Sequence, residues 1–199
     1  MIQGFAYFPT IVYRDEQIEL VDSISKITQK YFDETKELLK KENINIFLYQ
    51  TKNIINDNQL KFFYDYLLNS SYEILKSQGY AMEFYDLFIS GLWGQEIKNG
   101  GSTDVHLHQN SQLCGWFFLE THKGGSYPVY YDTRMNKEMI ELNYYQDEEI
   151  LNATSKIHFN NVAPGTLFFS NSWMKHQLTE NFSNESTKVI HFIISCKEK

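Results

Sequence analysis

Residues 105–120 read Val-His-Leu-His-Gln-Asn-Ser-Gln-Leu-Cys-Gly-Trp-Phe-Phe-Leu-Glu, and the fold follows from how this stretch is read. Both ends are built from β-branched, leucine and aromatic residues, while Gln-Asn-Ser-Gln between them has turn chemistry. Two short strands around a turn are therefore expected. Outward from this point the same pattern holds from Met82 to the C-terminus, with strand candidates at 83–89, 92–98, 105–108, 113–120, 127–132, 156–159, 166–170 and 188–195 separated by Gly, Asn, Ser and Asp. Eight short strands with no helical pattern between them argue against a parallel sheet and for two packed antiparallel sheets.

The chain before Met82 reads differently. Residues 5–13 are aromatic and β-branched around Pro9, which suits an edge strand or extended entry segment. Asp15 or Glu16 can then open a helix carrying Ile18, Val21, Ile24 and Ile27 near helical spacing. A second helix is expected from Asn56 or Asp57, with Leu60, Phe63, Leu67 and Leu75 as its apolar stripe and Gly79 as its stop. The predicted fold class is α+β, mainly β: a double-stranded β-helix, or jelly roll, with N-terminal helices packed on one sheet. One domain over 1–199 is expected, with 1–80 as helical support and 81–199 as the jelly-roll core. Between them in character, 134–155 is irregular and acidic, and reads as a solvated connection or a lid over the barrel mouth.

A chain of 199 residues with 42% hydrophobic content can bury one substantial core. Its net charge of −7 offers no clustered attraction for phosphate backbones or anionic lipid, so neither nucleic acid nor membrane is expected as a partner. The N-terminus has no basic stretch leading into a signal-length apolar run, which predicts a soluble cytoplasmic protein. Cys114 and Cys196 lack Cys-x-x-Cys spacing and read as free thiols rather than a disulfide.

On a strand, residues i and i+2 face the same way, so His106 and His108 project side by side as a two-toothed metal clamp. Alone, a His-x-His pair is weak evidence, because such pairs also occur on exposed strands. Downstream, Pro164-Gly165-Thr166-Leu167-Phe168-Phe169-Ser170 forms a turn and an apolar strand, and Trp173-Met174-Lys175-His176 ends in another histidine. A strand opening with Lys188 begins 12 residues later.

This ordered set resembles the iron(II)- and 2-oxoglutarate-dependent oxygenase superfamily, in its bacterial and phage, prolyl hydroxylase-like branch. The resemblance is carried by Phe8-Pro9-Thr10, Trp93, Gly100-Gly101 before His-x-His, Asn110-Ser111, Leu113-Cys114-Gly115, Tyr131-Asp132-Thr133-Arg134 and the segment from Gly165 to His176. It implies Fe(II) and 2-oxoglutarate as cofactors, O2 as cosubstrate, and hydroxylation of a substrate with release of succinate and CO2. The family's His-x-Asp/Glu…His motif maps onto His106, His108 and His176, with His108 standing where a carboxylate is usual. Asp104 or Asp132 is the alternative source of that carboxylate. The family's cation for the far carboxylate of 2-oxoglutarate maps onto Lys188. Asn110 and Gln95 are further candidates for the cofactor pocket, and Trp116, Phe118, Phe168 and Trp173 for its walls. His122, His158 and His191 lack the clamp's spacing and are not expected to bind metal. Lys188 is expected to point inward with Ile190, Phe192 and Ile194. The substrate is open between peptidyl proline and a small metabolite. Two other readings stay open: a three-histidine cupin-type dioxygenase without 2-oxoglutarate, and a jelly-roll binding module without turnover.

Overall fold

The computed structural model describes residues 10–134, 139 and 154–199. Residues 1–9 and most of the acidic 134–155 stretch lie outside the described residues, so the Phe8-Pro9 segment and the lid reading are not addressed by it. Nine strands and two α-helices occur among the described residues: β1 (Val12–Glu16), α1 (Ile18–Lys41), β2 (Leu48–Gln50), α2 (Lys61–Ser77), β3 (Tyr85–Ile97), β4 (Leu113–Glu120), β5 (Pro128–Tyr131), β6 (Lys156–His158), β7 (Thr166–Asn171), β8 (His176–Leu178) and β9 (Thr187–Glu198). A single 3₁₀ turn, Asn58–Leu60, leads into α2 and is capped by the Asp57 carboxylate, which accepts the Gln59 amide at 3.0 Å.

The strands form two antiparallel sheets, of order β1-β7-β4-β9-β3-β2 and β6-β5-β8. The larger sheet is buried on both faces. Its outer face takes the helices: Ile24 and Phe32 of α1, and Phe63, Leu67 and Leu75 of α2, meet Phe117, Ile190 and Phe192. Its inner face meets the small sheet through Trp116, Phe118, Phe168, Val189, Tyr130 and Leu178. This is the expected mainly antiparallel jelly roll with two helices on one sheet. Phe32 sits directly over Gly94, where an added Cβ would lie 2.4 Å from the ring, so glycine is required for α1 to pack this close.

Several predicted elements change in detail. The helix track that is buried is Ile24, Thr28 and Phe32, at a spacing of four, and Ile18 is exposed. The two strands expected at 83–89 and 92–98 are one strand, β3, interrupted by an irregularity between Ile89 and Gly91. The stretch at 105–108 makes only an isolated bridge, between His106 and His176. Cys114 and Cys196 are both free, as expected.

Candidate metal centre

The bridge between residues 106 and 176 is what assembles the site. His106 and His176 exchange both backbone hydrogen bonds, at 3.0 and 2.9 Å, so their side chains leave the same face of the small sheet. Their rings lie 4.5 Å apart. Each imidazole donates its Nδ1–H to a backbone carbonyl two residues earlier, His106 to Asp104 and His176 to Met174, both at 2.7 Å. That bond selects the tautomer in which Nε2 keeps its lone pair for a metal.

His108 lies beside them, its Nε2 3.4 Å from that of His176. It is also 3.1 Å from Nε2 of His191. Two compact donor sets result among the described residues: His106, His108 and His191, and His108, Cys114 and His176. His108 is common to both. No aspartate or glutamate belongs to either set. Asp104 contributes its backbone carbonyl to His106, and the Asp132 carboxylate is held by the Arg134 guanidinium through Nε at 2.9 Å.

The expectation set His191 aside as a ligand and turned Lys188 inward; in the structure Lys188 lies on the outer face and His191 lies among the candidate donors. Lys188 does share a face with Ile190 and Phe192, but that face lies under the helices. Its Nζ pairs with Glu120 at 2.7 Å and stands 5.9 Å from the Phe32 ring centre. The opposite face carries Val189 and His191, in register with Phe118 and Trp116 of β4 and with Gln95 and Trp93 of β3. His191 is therefore inside the jelly roll. The signal available in the sequence was a lone histidine in an otherwise apolar, two-sided strand.

Gln95 is buried on this inner face, with Nε2 3.3 Å from Gln50 Oε1 and its own Oε1 without a hydrogen bond among the described residues. Asn110 is exposed in the turn after the clamp, with φ +58°, and its carbonyl accepts from Ser195 Oγ at 3.3 Å. Trp116, Phe118 and Phe168 are buried in the inner core, whereas Trp173 is exposed. Tyr130, Trp93 and Trp116 were not singled out as polar contributors, yet among the described residues both indole N–H groups are buried without a hydrogen bond, and the Tyr130 hydroxyl is buried with no close one, the Ser170 side chain being a weak partner. Their rings surround the histidines: Trp93 lies 4.7 Å from His191, Trp116 5.1 Å from His176, and Tyr130 6.1 Å from His176. Orphaned donors around a nitrogen cluster are the polar lining a small anionic ligand needs.

Burial, followed by the charge on His106, lowers His108 to about 4 and His176 to about 3, and burial likewise lowers His191. All three are neutral at pH 7 and can donate lone pairs. The sign of the stability effect follows. In the metal-free protein the unfolded chain takes up protons at these histidines below about pH 6.5 while the folded chain does not. Stability should therefore fall as pH drops from about 6.5 towards about 4, and a saturating divalent metal should shift the acid midpoint downward. Urea melts across this range check it; an apoprotein equally stable at pH 7 and 5 would contradict the burial of these rings.

Comparison with known proteins was made on this fold and site. No curated protein matches the sequence. Among solved structures, AviO1 from Streptomyces viridochromogenes Tue57 aligns with TM-score 0.63 at 8% identity over 94% of this chain and 90% of its own. A Pseudomonas putida prolyl-4-hydroxylase aligns with TM-score 0.60 at 7% identity over 94% and 93%. A viral collagen prolyl hydroxylase from Paramecium Bursaria Chlorella virus-1 aligns with TM-score 0.54 at 12% identity over 92% and 96%. At such identities the likeness is one of fold. The family model described as "Putative 2OG-Fe(II) oxygenase" matches residues 91–192, half of the chain, and that segment runs from β3 to β9 and contains all four clustered histidines. The chain belongs to this 2-oxoglutarate- and Fe(II)-dependent oxygenase family, which implies Fe(II) and 2-oxoglutarate as its cofactors.

Proposed function

We propose that the protein is an Fe(II)- and 2-oxoglutarate-dependent dioxygenase that hydroxylates its substrate, with His106, His108 and His176 holding the iron. One observation carries the proposal: His106 and His176 face each other across a backbone bridge, each with Nδ1–H donated to a carbonyl so that Nε2 carries the lone pair, beside His108. Imidazole nitrogen suits ferrous iron, and three such ligands leave three octahedral positions. When bound, the iron and 2-oxoglutarate supply the oxidising chemistry, giving succinate and CO2 as co-products.

The residues of the chain hold and shield that chemistry. The carbonyls of Asp104 and Met174 keep His106 and His176 in the metal-binding tautomer. The Tyr130 hydroxyl and Trp116 indole N–H are the donors proposed for the far carboxylate of 2-oxoglutarate, with Gln95 on the same inner face. Asn110, in the exposed turn, would reach a ligand from the solvent side. Phe118, Phe168 and Trp116 exclude water from the interior. Lys188 has no part in cofactor binding in this proposal, because Glu120 and α1 occupy its side chain. Lys188→Met should accordingly leave 2-oxoglutarate affinity within about twofold of wild type by calorimetry; a loss of tenfold or more would restore Lys188 to the site.

The direct test measures CO2 released from 2-oxoglutarate with and without added Fe(II) under air. Iron-dependent release supports the proposal. The absence of a carboxylate from both donor sets favours one other reading, a three-histidine dioxygenase whose substrate chelates the iron itself. Tight iron binding with no affinity for 2-oxoglutarate would select that reading instead. As to the substrate, peptidyl proline or a small metabolite is proposed; two of the aligned structures are prolyl hydroxylases.

A further inference from the structure

We infer that His108, Cys114 and His176 form a second metal-binding set, one that takes a thiophilic divalent cation of the Zn(II) and Cd(II) class with the Cys114 thiolate as a ligand. The inference goes beyond the iron proposal, with which it shares two histidines, and it does not depend on turnover of 2-oxoglutarate.

Strand alternation brings the sulfur inside. On β4, Cys114 shares its face with Trp116 and Phe118, the face that meets the small sheet, and it stands in register with Ser170 of β7 and Ile193 of β9. The side chain is 1% exposed. Its Sγ lies 3.9 Å from His176 Nε2, and that nitrogen lies 3.4 Å from His108 Nε2. The three donor atoms all fall within 4.8 Å of one another. A tetrahedral cation about 2.3 Å from sulfur and about 2.1 Å from nitrogen sets S···N at about 3.6 Å and N···N at about 3.4 Å. The two nitrogens already stand at that spacing, and the sulfur is only slightly beyond it. His176 also presents the right atom, because its Nδ1–H goes to the Met174 carbonyl and its Nε2 keeps the lone pair beside the sulfur.

The two donor sets differ in hardness and in charge. His106 belongs to the set made only of histidines and Cys114 to the other, with His108 common to both. Ferrous iron in an oxygenase keeps open octahedral positions beside nitrogen and oxygen ligands, whereas Zn(II) and Cd(II) are well served by four-coordinate sites that include sulfur. A thiolate supplies a negative charge that neither set obtains from a carboxylate among the described residues. Binding breaks the Cys114 S–H bond and forms a sulfur–metal bond, with the proton passing to solvent and no change of oxidation state. His108 and His176 cannot serve two ions at once. A thiophilic cation seated on the sulfur therefore excludes iron and inhibits in competition with Fe(II).

The test titrates the full-length, reduced protein anaerobically with Cd(II) and reads the ultraviolet sulfur-to-cadmium charge-transfer band. One equivalent of Cd(II) is expected to develop the band fully and to block Fe(II) binding. Cys114→Ser should abolish the band and weaken Cd(II) binding by at least on the order of 100-fold. His106→Ala should keep both band and affinity, since His106 lies outside the thiolate set. Cys196, the other free thiol, pairs with Leu87 in the β3–β9 ladder and belongs to neither set, so Cys196→Ser should titrate as wild type does. Absence of the band, its survival in Cys114→Ser, or its loss in His106→Ala or in Cys196→Ser overturns the inference. If the Cys114 variant fails to fold, 113Cd resonance of the wild-type protein decides, because a sulfur ligand moves the signal far downfield of a site with nitrogen and oxygen alone. A missing sulfur signature leaves the iron proposal standing, and failure of iron-dependent CO2 release leaves the thiolate set standing.

Discussion

Iron-dependent turnover of 2-oxoglutarate is expected to be lost on replacing His176 by alanine, together with at least about 100-fold of the Fe(II) affinity. His176 is fully buried, its Nδ1 is fixed by the Met174 carbonyl, and its backbone forms the bridge to His106. Removing the ring takes away a nitrogen donor that no water in that buried position can replace with the same geometry. His106→Ala should behave alike, because the Asp104 carbonyl orients it in the same tautomer. His122→Ala is the control: it lies on the surface loop after β4, away from the cluster, and should titrate with Fe(II) as wild type does. Anaerobic iron titration with parallel measurement of CO2 release checks all three. An alanine at 176 that keeps wild-type iron affinity would remove the centre from this position altogether.

Gly115→Ala is expected to be the most destabilising single-methyl change, at about 3 kcal/mol or more, and to prevent folding at physiological temperature if the protein has ordinary marginal stability. A Cβ at this position would lie 1.8 Å from the Phe168 carbonyl oxygen and 2.6 Å from the Phe192 ring. The oxygen belongs to the neighbouring strand, so no rotamer change relieves the clash. Relief requires β4 and β7 to part at the middle of their ladder, where Gly115 pairs with Phe169 and Trp116 with Phe168. Trp116 is the wall of the metal centre, so partial separation would cost iron binding as well. Urea denaturation measures the first effect, and a loss below about 1 kcal/mol would mean that the two strands are less tightly apposed than described.

Much of this molecule could be read from the chain alone, and the parts that could not share a cause. The strand at 113–120 was legible to the residue, because turn chemistry on one side and a charged residue on the other bound an apolar run. The helices, the jelly roll and the family followed from patterns that are local or ordered along the chain. Within the site, the two-toothed clamp and the histidine after the Gly165 turn were legible as candidates, since period-two spacing and motif order do not depend on the fold around them.

The tertiary structure decided which face of β9 is the inside. Strand periodicity states that Lys188, Ile190 and Phe192 share one side and Val189 and His191 the other; it does not say which side holds the metal. On a strand with one wet face the polar residues would answer that question. Here both faces are buried, Ile190 and Phe192 beneath the helices and Val189 and His191 inside the jelly roll, so the apolar pattern carries no direction. The docking of α1 over Gly94, with Phe32 against the outer face, supplies the direction. That contact turns Lys188 towards Glu120 and the helix, and it turns His191 into the histidine cluster. The sequence by itself determined the fold class, the family and three of the four histidines; the packing of one helix on one sheet determined the fourth.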